Sequence, residues 1–219
     1  MFNIKCSMKI SNLFYNLMHI SYIHAEGDVD YATRTVGKTL YIYFQHSQGK
    51  VDWKNNFDFP AKPYKHMKCK DAPYGSVWLA HRGFLSAWRV AEGLLKEQIS
   101  DTGYTKIVIS GYSHGAALAV LCHEYVWYNR PDLREVIEGY GFGCPRVAWG
   151  VKNACHRERW ARFNVIRNID DIVTHVPPAI LGYFHVGNMV EIGQRGKYSA
   201  VEAHFPDSYM RELLKYHEL

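Results

Sequence analysis

Apolar residues recur along the chain in two ways, at intervals of three to four residues and in short continuous runs. The wider spacing marks amphipathic helices and is clearest where Leu85, Trp88 and Leu95 step along one face. Short runs rich in β-branched and aromatic residues are typical of strands. The pattern predicts helices at about 8–24, 84–99, 116–128 and 207–216. It predicts strands at 38–44, 76–81, 106–110, 135–142, 163–168 and 187–192.

The alternation of strands with helices favours an α/β fold, in which helices flank a mostly parallel central sheet. A chain of 219 residues can bury one substantial core, and no repeat, low-complexity tract or linker divides it. We therefore expect a single domain over 1–219. Two polar stretches, 26–37 and 45–60, are predicted to be loops or short surface elements.

The N-terminal region admits two interpretations. Lys5 and Lys9 precede an apolar segment at 11–25, which is the order found in secretory signals. Polar residues interrupt that segment, however, and Leu13 and Leu17 follow helical spacing. We expect an amphipathic helix packed on the domain, with a secretory signal as the alternative. No stretch reaches the roughly 18 apolar residues of a membrane span, so stable membrane insertion is not expected.

Five cysteines occur at irregular spacing, and their odd number leaves at least one without a partner in the chain. Such usage is simplest to explain in a reducing compartment. Because the N-terminal segment is also not a convincing signal peptide, we expect a cytoplasmic rather than a secreted protein. His66 and Cys69 lack the second half of a metal-binding motif. No metal site is therefore predicted.

The formal charge of +5 is spread along the chain, and its densest basic stretch is AKPYKHMKCK (61–70). A nucleic-acid site would need a basic face interleaved with aromatic residues, or a recognisable module. Neither is present in the sequence. The stretch is interpreted as a solvated loop, and no nucleic-acid partner is expected.

The segment KIVISGYSHGAALAVL (106–121) places a Gly-x-Ser-x-Gly motif between a predicted strand and a predicted helix. This is the context of a nucleophile elbow. Gly111 and Gly115 suit it because a Cβ would clash where the strand and the helix approach. The helix also directs its first N–H groups towards Ser113. We identify Ser113 as a candidate nucleophile; the alternative is an ordinary turn whose serine caps the helix.

A serine becomes a strong nucleophile only when a base and an orienting acid accompany it. In this architecture the acid and then the histidine follow the serine, each after a later strand. Asp170 and Asp171 come directly after the strand at 163–168, and either could be the acid. Of the four later histidines, His204 lies where the base is expected, and His185 is the reserve.

Six motifs in the same order make the chain resemble the class 3 lipase family, the α/β-hydrolases that include fungal triacylglycerol lipases and feruloyl esterases. The resemblance covers about 38–209. It implies an α/β-hydrolase fold and ester hydrolysis that requires no metal or cofactor. The motifs are YIYFQHS (41–47), HRGF (81–84), SGYSHGAALA (110–119), GFGCPRV (141–147), IRNIDDIVTHVPP (166–178) and GYFHVG (182–187).

The resemblance also implies roles for individual residues. Ser113 is the nucleophile, and His204 is the base. Asp171, rather than its neighbour, is the acid because it begins the motif Asp-x-Val. The backbone N–H of His114 and that of Ser47 form the oxyanion hole.

The chain departs from the family pattern near the predicted site. Gln45-His46 stands in place of Arg-Gly, and His114 replaces the usual leucine. The segment that matches the lid of fungal lipases, 47–59, is short and polar. We expect a carboxylesterase or lipase acting on a small-molecule or lipid ester, with the polar segment favouring soluble esters. The alternative is a catalytically retired hydrolase fold that acts as a binding module.

Overall fold

The computed structural model describes residues 9–27, 29–45, 60–65, 77–152 and 154–216. In chain order its strands are β1 Ile23–Ala25, β2 Val29–Val36, β3 Thr39–Gln45, β4 Ala61–Lys65, β5 Val77–His81, β6 Lys106–Tyr112, β7 Glu138–Phe142, β8 Ala148–Trp149, β9 Phe163–Asn168, β10 Tyr183–Phe184 and β11 Asn188–Ile192. Its α-helices are α1 Ile10–His19, α2 Arg82–Ser100, α3 His114–Asn129, α4 Ala154–Arg159 and α5 Pro206–Tyr216.

The central sheet has the strand order β1-β2-β3-β6-β7-β9-β11. Its last five strands are mutually parallel, whereas β1 and β2 run antiparallel at one edge. Parallel strands need crossover connections, and helices α2, α3 and α4 lie in the intervening stretches of chain. The predicted mostly parallel sheet flanked by helices is therefore present.

Side chains that alternate along the central strands divide the core into two layers. On one face, Leu40 and Ile42 of β3 join a cluster that includes Trp88 of α2 and the apolar side of α3. On the other face, Tyr41 and Tyr43 join a cluster with residues of α1 and α5. Because both faces are covered, the middle strands are apolar throughout, as the run at 107–109 shows.

A second, smaller sheet has the order β10-β8-β5-β4 and antiparallel pairing. Trp149 of β8 donates its Nε1–H to the carbonyl oxygen of Leu181 at 2.8 Å. This bond ties the sheet to the loop that follows β9.

The strand–helix turn after β6 is closed by two backbone contacts that only glycine permits. A Cβ at Gly115 would lie 2.3 Å from the carbonyl oxygen of Phe44 on β3. A Cβ at Gly111 would lie 2.1 Å from the carbonyl oxygen of Gly115. The start of α3 therefore lies directly on β3 and β6, as the spacing of the two glycines predicted.

Several elements differ from the sequence predictions, which also lacked the short elements α4, β8 and β10. Helix α1 ends at His19 instead of extending to about 24, and β1 occupies part of the remainder. Strand β2 forms where 26–37 was predicted to be a polar loop, and β4 forms at the start of the predicted basic loop 61–70. Strands at a sheet margin bury one face at most, so their sequences carry few apolar residues.

We expect Gly115→Ala to lower the free energy of unfolding by about 3 kcal/mol, because its Cβ would overlap a backbone carbonyl that cannot rotate away. Chemical denaturation measures the change. Gly93→Ala in α2 is the matched control, since no atom lies within 4 Å of the added Cβ. Alanine there should be neutral or stabilising by up to about 1 kcal/mol. Equal stability of Gly115→Ala and the parent chain would contradict the close contact.

Candidate active site

Ser113 occupies the turn between β6 and α3 with φ 56° and ψ −123°. It is the one non-glycine residue with positive φ in the described ranges. Such a conformation costs on the order of 1–3 kcal/mol, so the surrounding structure must enforce it. The Ser113 N–H donates to the carbonyl oxygen of Phe142 on β7 at 2.9 Å. The side chain is thereby held out at the carboxyl end of the sheet, where ligands bind in parallel α/β folds.

His204 lies between Ser113 and Asp171. Its Nε2 is 2.9 Å from Ser113 Oγ, and its Nδ1 is 2.8 Å from Asp171 Oδ2. An ionised carboxylate only accepts hydrogen bonds, so Nδ1 donates to Asp171 and Nε2 accepts from the serine hydroxyl. This tautomer is the one in which imidazole can remove a proton from the serine.

The structure distinguishes the two candidate acids. Asp171 is fully buried, and its Oδ1 accepts the N–H of Val173 at 2.8 Å. Asp170 instead accepts the N–H of Gly196 at 2.7 Å near the surface. Asp171 is thus the aspartate that the fold brings to His204, as the motif Asp-x-Val implied.

Tyr209 is a site residue that the sequence analysis missed. Its hydroxyl donates to Asp171 Oδ2 at 2.6 Å and accepts the N–H of Asn168 at 3.1 Å. Burial, and then the neighbouring Asp171 carboxylate, raise the pKa of Tyr209 well above its ordinary value, so the hydroxyl stays a donor. The sequence placed Tyr209 on the closing helix directly after His204. Helical spacing does not show, however, which buried tyrosine contacts a carboxylate.

Gly143, in the motif GFGCPRV, provides the space that the pair of His204 and Asp171 needs. A Cβ at this position would lie 2.9 Å from His204 Cε1 and 3.1 Å from Asp171 Oδ2. Its φ of +58° also favours glycine. The motif therefore contributes to the site by omitting a side chain.

His185, the reserve candidate for the base, is placed elsewhere. Its Nε2 lies 2.8 Å from the carbonyl oxygen of Thr174, and burial lowers the pKa of His185 to about 4. Neutral His185 donates that bond, while the Thr174 hydroxyl donates to the carbonyl oxygen of Asp171 at 2.8 Å. His185 therefore supports the loop that bears Asp171 and does not reach Ser113.

Of the two predicted oxyanion donors, the structure describes His114 but not Ser47. His114 is the first residue of α3, where backbone N–H groups have no acceptor within the helix. Its imidazole packs edge-on against Phe84 of α2, with ring centroids 5.5 Å apart. Ser47, together with His46 and the lid-like segment 47–59, lies outside the described residues, and the role of Ser47 stays a prediction.

Other features of the described chain bear on binding. No group of three or more histidine, cysteine or acidic side chains suited to a metal ion occurs within those ranges. None of the helices there combines the length and the apolar character needed to cross a bilayer. Cys122, Cys144 and Cys155 are free thiols.

The fold, with serine, histidine and aspartate in contact at the carboxyl ends of its strands, defines an α/β-hydrolase. The chain belongs to the class 3 lipase family, whose model matches residues 41–181. The predicted family is therefore confirmed.

Curated relatives with this family resemblance are fungal lipases. The chain is 27% identical over 155 residues to a lipase of Rhizomucor miehei, covering 68% of this chain and 40% of the relative. It is 31% identical over 119 residues to a secreted mono- and diacylglycerol lipase of Malassezia restricta, covering 51% and 37%. The chain thus spans about two fifths of the length of these relatives.

Solved structures confirm the predicted fold. A fungal lipase in complex with an inhibitor superimposes with a TM-score of 0.66 at 22% identity, covering 84% of this chain and 78% of that one. The triacylglyceride lipase of Rhizomucor miehei gives a TM-score of 0.62 at 24% identity, covering 80% and 66%.

The prediction of a cytoplasmic protein is contradicted by these comparisons, since the Malassezia restricta relative is a secreted lipase. The prediction depended on the unpaired cysteines and on the interpretation of the N-terminal segment as an amphipathic helix instead of a secretory signal. Cys122 and Cys144 are buried, and burial raises the pKa of both thiols, which keeps them unreactive. Free thiols of this kind do not require a reducing compartment.

We expect Tyr209→Phe to lower the free energy of unfolding by about 2 kcal/mol, because Asp171 loses a buried hydrogen bond and the Asn168 N–H loses its acceptor. Urea denaturation at neutral pH measures the difference. Tyr15→Phe, at an exposed tyrosine of α1, is the control and should change stability by less than about 0.5 kcal/mol. A Tyr209→Phe value as small as the control would show that the hydroxyl does not support the buried carboxylate.

Proposed function

We propose that the chain is a serine hydrolase that cleaves carboxylic esters through an acyl-enzyme on Ser113. One observation carries the proposal: Ser113 Oγ lies 2.9 Å from His204 Nε2, and His204 Nδ1 lies 2.8 Å from Asp171. A strained serine, a histidine in the acceptor tautomer and a buried carboxylate are the parts that acyl transfer requires. The family membership supports the same reaction.

In the proposed reaction, His204 takes the hydroxyl proton while Ser113 Oγ attacks the ester carbonyl carbon. Asp171 holds the imidazole in orientation and stabilises the imidazolium that forms. When the tetrahedral intermediate collapses, the C–O bond to the alcohol breaks and His204 returns the proton to the leaving oxygen. Water then adds to the acyl-enzyme by the same steps, and the acid is released.

The negative oxygen of the intermediate needs donors that are in place before the reaction begins. We assign one to the backbone N–H of His114, since it starts α3 next to Ser113 and the helix dipole adds to it. We assign the second to Ser47, on the resemblance of the motif 41–47 alone. Each such donor typically contributes about 3–4 kcal/mol to transition-state stabilisation.

The proposed substrate class is a lipid ester. Three large apolar side chains are exposed beside the acid and the base: Ile172 follows Asp171, and Val201 and Phe205 flank His204. The Ile172 N–H donates to the carbonyl oxygen of Ala200, which joins the two loops. The name of the Malassezia restricta relative supports acylglycerols over soluble esters, and it also supports export of the protein.

Ser113→Ala should lower kcat/KM for a chromogenic ester by at least about 10³-fold, since no other group can form the acyl-enzyme. Initial rates of p-nitrophenyl butyrate hydrolysis measure it. Ser110→Ala is the matched control: Ser110 is a fully buried serine of the same strand, and its loss should leave the rate unchanged.

A fluorophosphonate probe gives a second readout on the same variants. It should label the parent chain and Ser110→Ala at Ser113 and should leave Ser113→Ala unlabelled. Full activity in Ser113→Ala, or no labelling of the folded parent chain, would overturn the assignment.

Replacement of exposed Phe205 by serine should reduce hydrolysis of emulsified triacylglycerol about tenfold, which is the effect of losing one large apolar contact with lipid. Hydrolysis of soluble p-nitrophenyl butyrate by the same variant should be nearly unchanged. Leu214→Ser, at an equally exposed position of α5, is the control. Parallel losses on both substrates would indicate damage to His204 and would contradict the lipid-facing role.

A further inference from the structure

Tyr112 occupies the position directly before Ser113. Its ring lies nearly parallel to the imidazole of His204, with centroids 5.1 Å apart and an interplanar angle of 17°. Its hydroxyl donates to the carbonyl oxygen of His204. One side chain therefore contacts both the ring and the main chain of the proposed base.

The ring of Tyr112 is itself held in place. It is 7% exposed, and Phe14 of α1 and Tyr209 of α5 pack edge-on against it, with centroids 5.9 Å and 6.0 Å away. Its backbone belongs to β6, in the middle of the central sheet. A rigid strand and two aromatic neighbours thus fix the surface on which the imidazole rests.

His204 needs such support because the chain around it has little regular structure. The connection from β11 to α5 contains only the short 3-10 turn Glu202–His204 among its described residues. Hydrogen bonds to Asp171 and from Ser113 hold the two ring nitrogens, but both of them act in the plane of the ring. The Tyr112 ring, stacked on the imidazole, restrains the tilt of the His204 ring. The hydrogen bond from the Tyr112 hydroxyl to the His204 carbonyl oxygen restrains the position of the His204 main chain relative to Ser113.

We propose that Tyr112 is a positioning residue that orients His204 and stabilises its protonated form during the reaction. The proposal rests on the serine hydrolase function proposed above. A cation within about 6 Å of an aromatic centroid is stabilised by the ring, and the imidazolium that forms after proton transfer meets this condition. Neutral imidazole is stabilised less by the Tyr112 ring than imidazolium is. The ring therefore favours the step in which Ser113 attacks and His204 becomes protonated.

The hydroxyl of Tyr112 remains a donor at neutral pH. Burial, and then the charge of Asp171, raise the pKa of Tyr112 far above its ordinary value. Polar and titratable groups near the imidazole include Tyr112, Ser113 and Asp171, which contact His204 directly. Tyr209, Cys144 and His175 interact with Asp171, and Glu202 lies two residues before His204, where its carboxylate accepts the Ser199 N–H.

Two substitutions separate the two contacts. Tyr112→Phe keeps the ring and removes the hydroxyl; we expect kcat to fall about fivefold with KM unchanged. Tyr112→Leu removes both, and kcat should fall between about tenfold and a hundredfold. Tyr140→Phe and Tyr140→Leu are the matched controls, because Tyr140 is a buried tyrosine of β7 in the same layer, bonded to Glu138.

A readout that does not depend on turnover is the NMR titration of His204 in the Ser113→Ala background. The Cε1–H resonance is assigned by its loss in His204→Gln. Tyr112→Leu should move the titration midpoint about half a pH unit lower, because the imidazolium loses the ring. Tyr112→Phe and both Tyr140 variants should leave the midpoint unchanged, although all of them can lower thermal stability.

An unchanged midpoint in folded Tyr112→Leu would overturn the role of the ring, and an unchanged kcat in Tyr112→Phe would overturn that of the hydroxyl. If Tyr112→Leu does not fold, Tyr112→Phe decides the proposal through its kcat. If the parent chain shows no hydrolysis that depends on Ser113, the proposed function fails. A shifted midpoint in Tyr112→Leu would then still establish the contact with His204.

Discussion

The backbone contact between the start of α3 and strand β3 is the constraint on which the rest of the site depends. Helix α3 must leave β6 within one turn and lie against a carbonyl oxygen of β3, which is possible only without a side chain at Gly115. The chain meets this requirement by bending sharply at Ser113, whose φ of 56° is otherwise unfavourable. The same bend exposes the serine hydroxyl and aims the first N–H groups of the helix at it.

A buried carboxylate is the second requirement, and it is costly unless hydrogen bonds replace water. Asp171 has three donors around it: the N–H of Val173, the hydroxyl of Tyr209 and the imidazole of His204. The first comes from its own loop, while the other two come from segments near the C-terminus. The closing helix α5 is therefore part of the site, since it carries one donor and follows directly on another.

Local patterns predicted the central strands and the elbow, whereas the choice of Asp171 over Asp170 needed the resemblance to the family. Buried parallel strands are apolar throughout, and the two glycines of the elbow stand at the spacing that the turn demands. The marginal strands β2 and β4 were missed because backbone pairing at an edge needs few apolar residues. Tyr209 and Gly143 were missed for another reason: their partners are distant in sequence, and only the folded chain brings them together.

The N-terminal helix α1 lies before the residues that match the family model, yet it reaches the site. Phe14 contacts the rings of Tyr112, Phe142 and Tyr209 with centroids 4.8–5.9 Å apart. The Tyr112 ring stacks on His204, the carbonyl oxygen of Phe142 accepts the N–H of Ser113, and the Tyr209 hydroxyl donates to Asp171. Because aromatic side chains pack without voids, a shift of α1 would be transmitted to all three at once. The geometry of the site therefore depends on a segment that contributes no group to the chemistry.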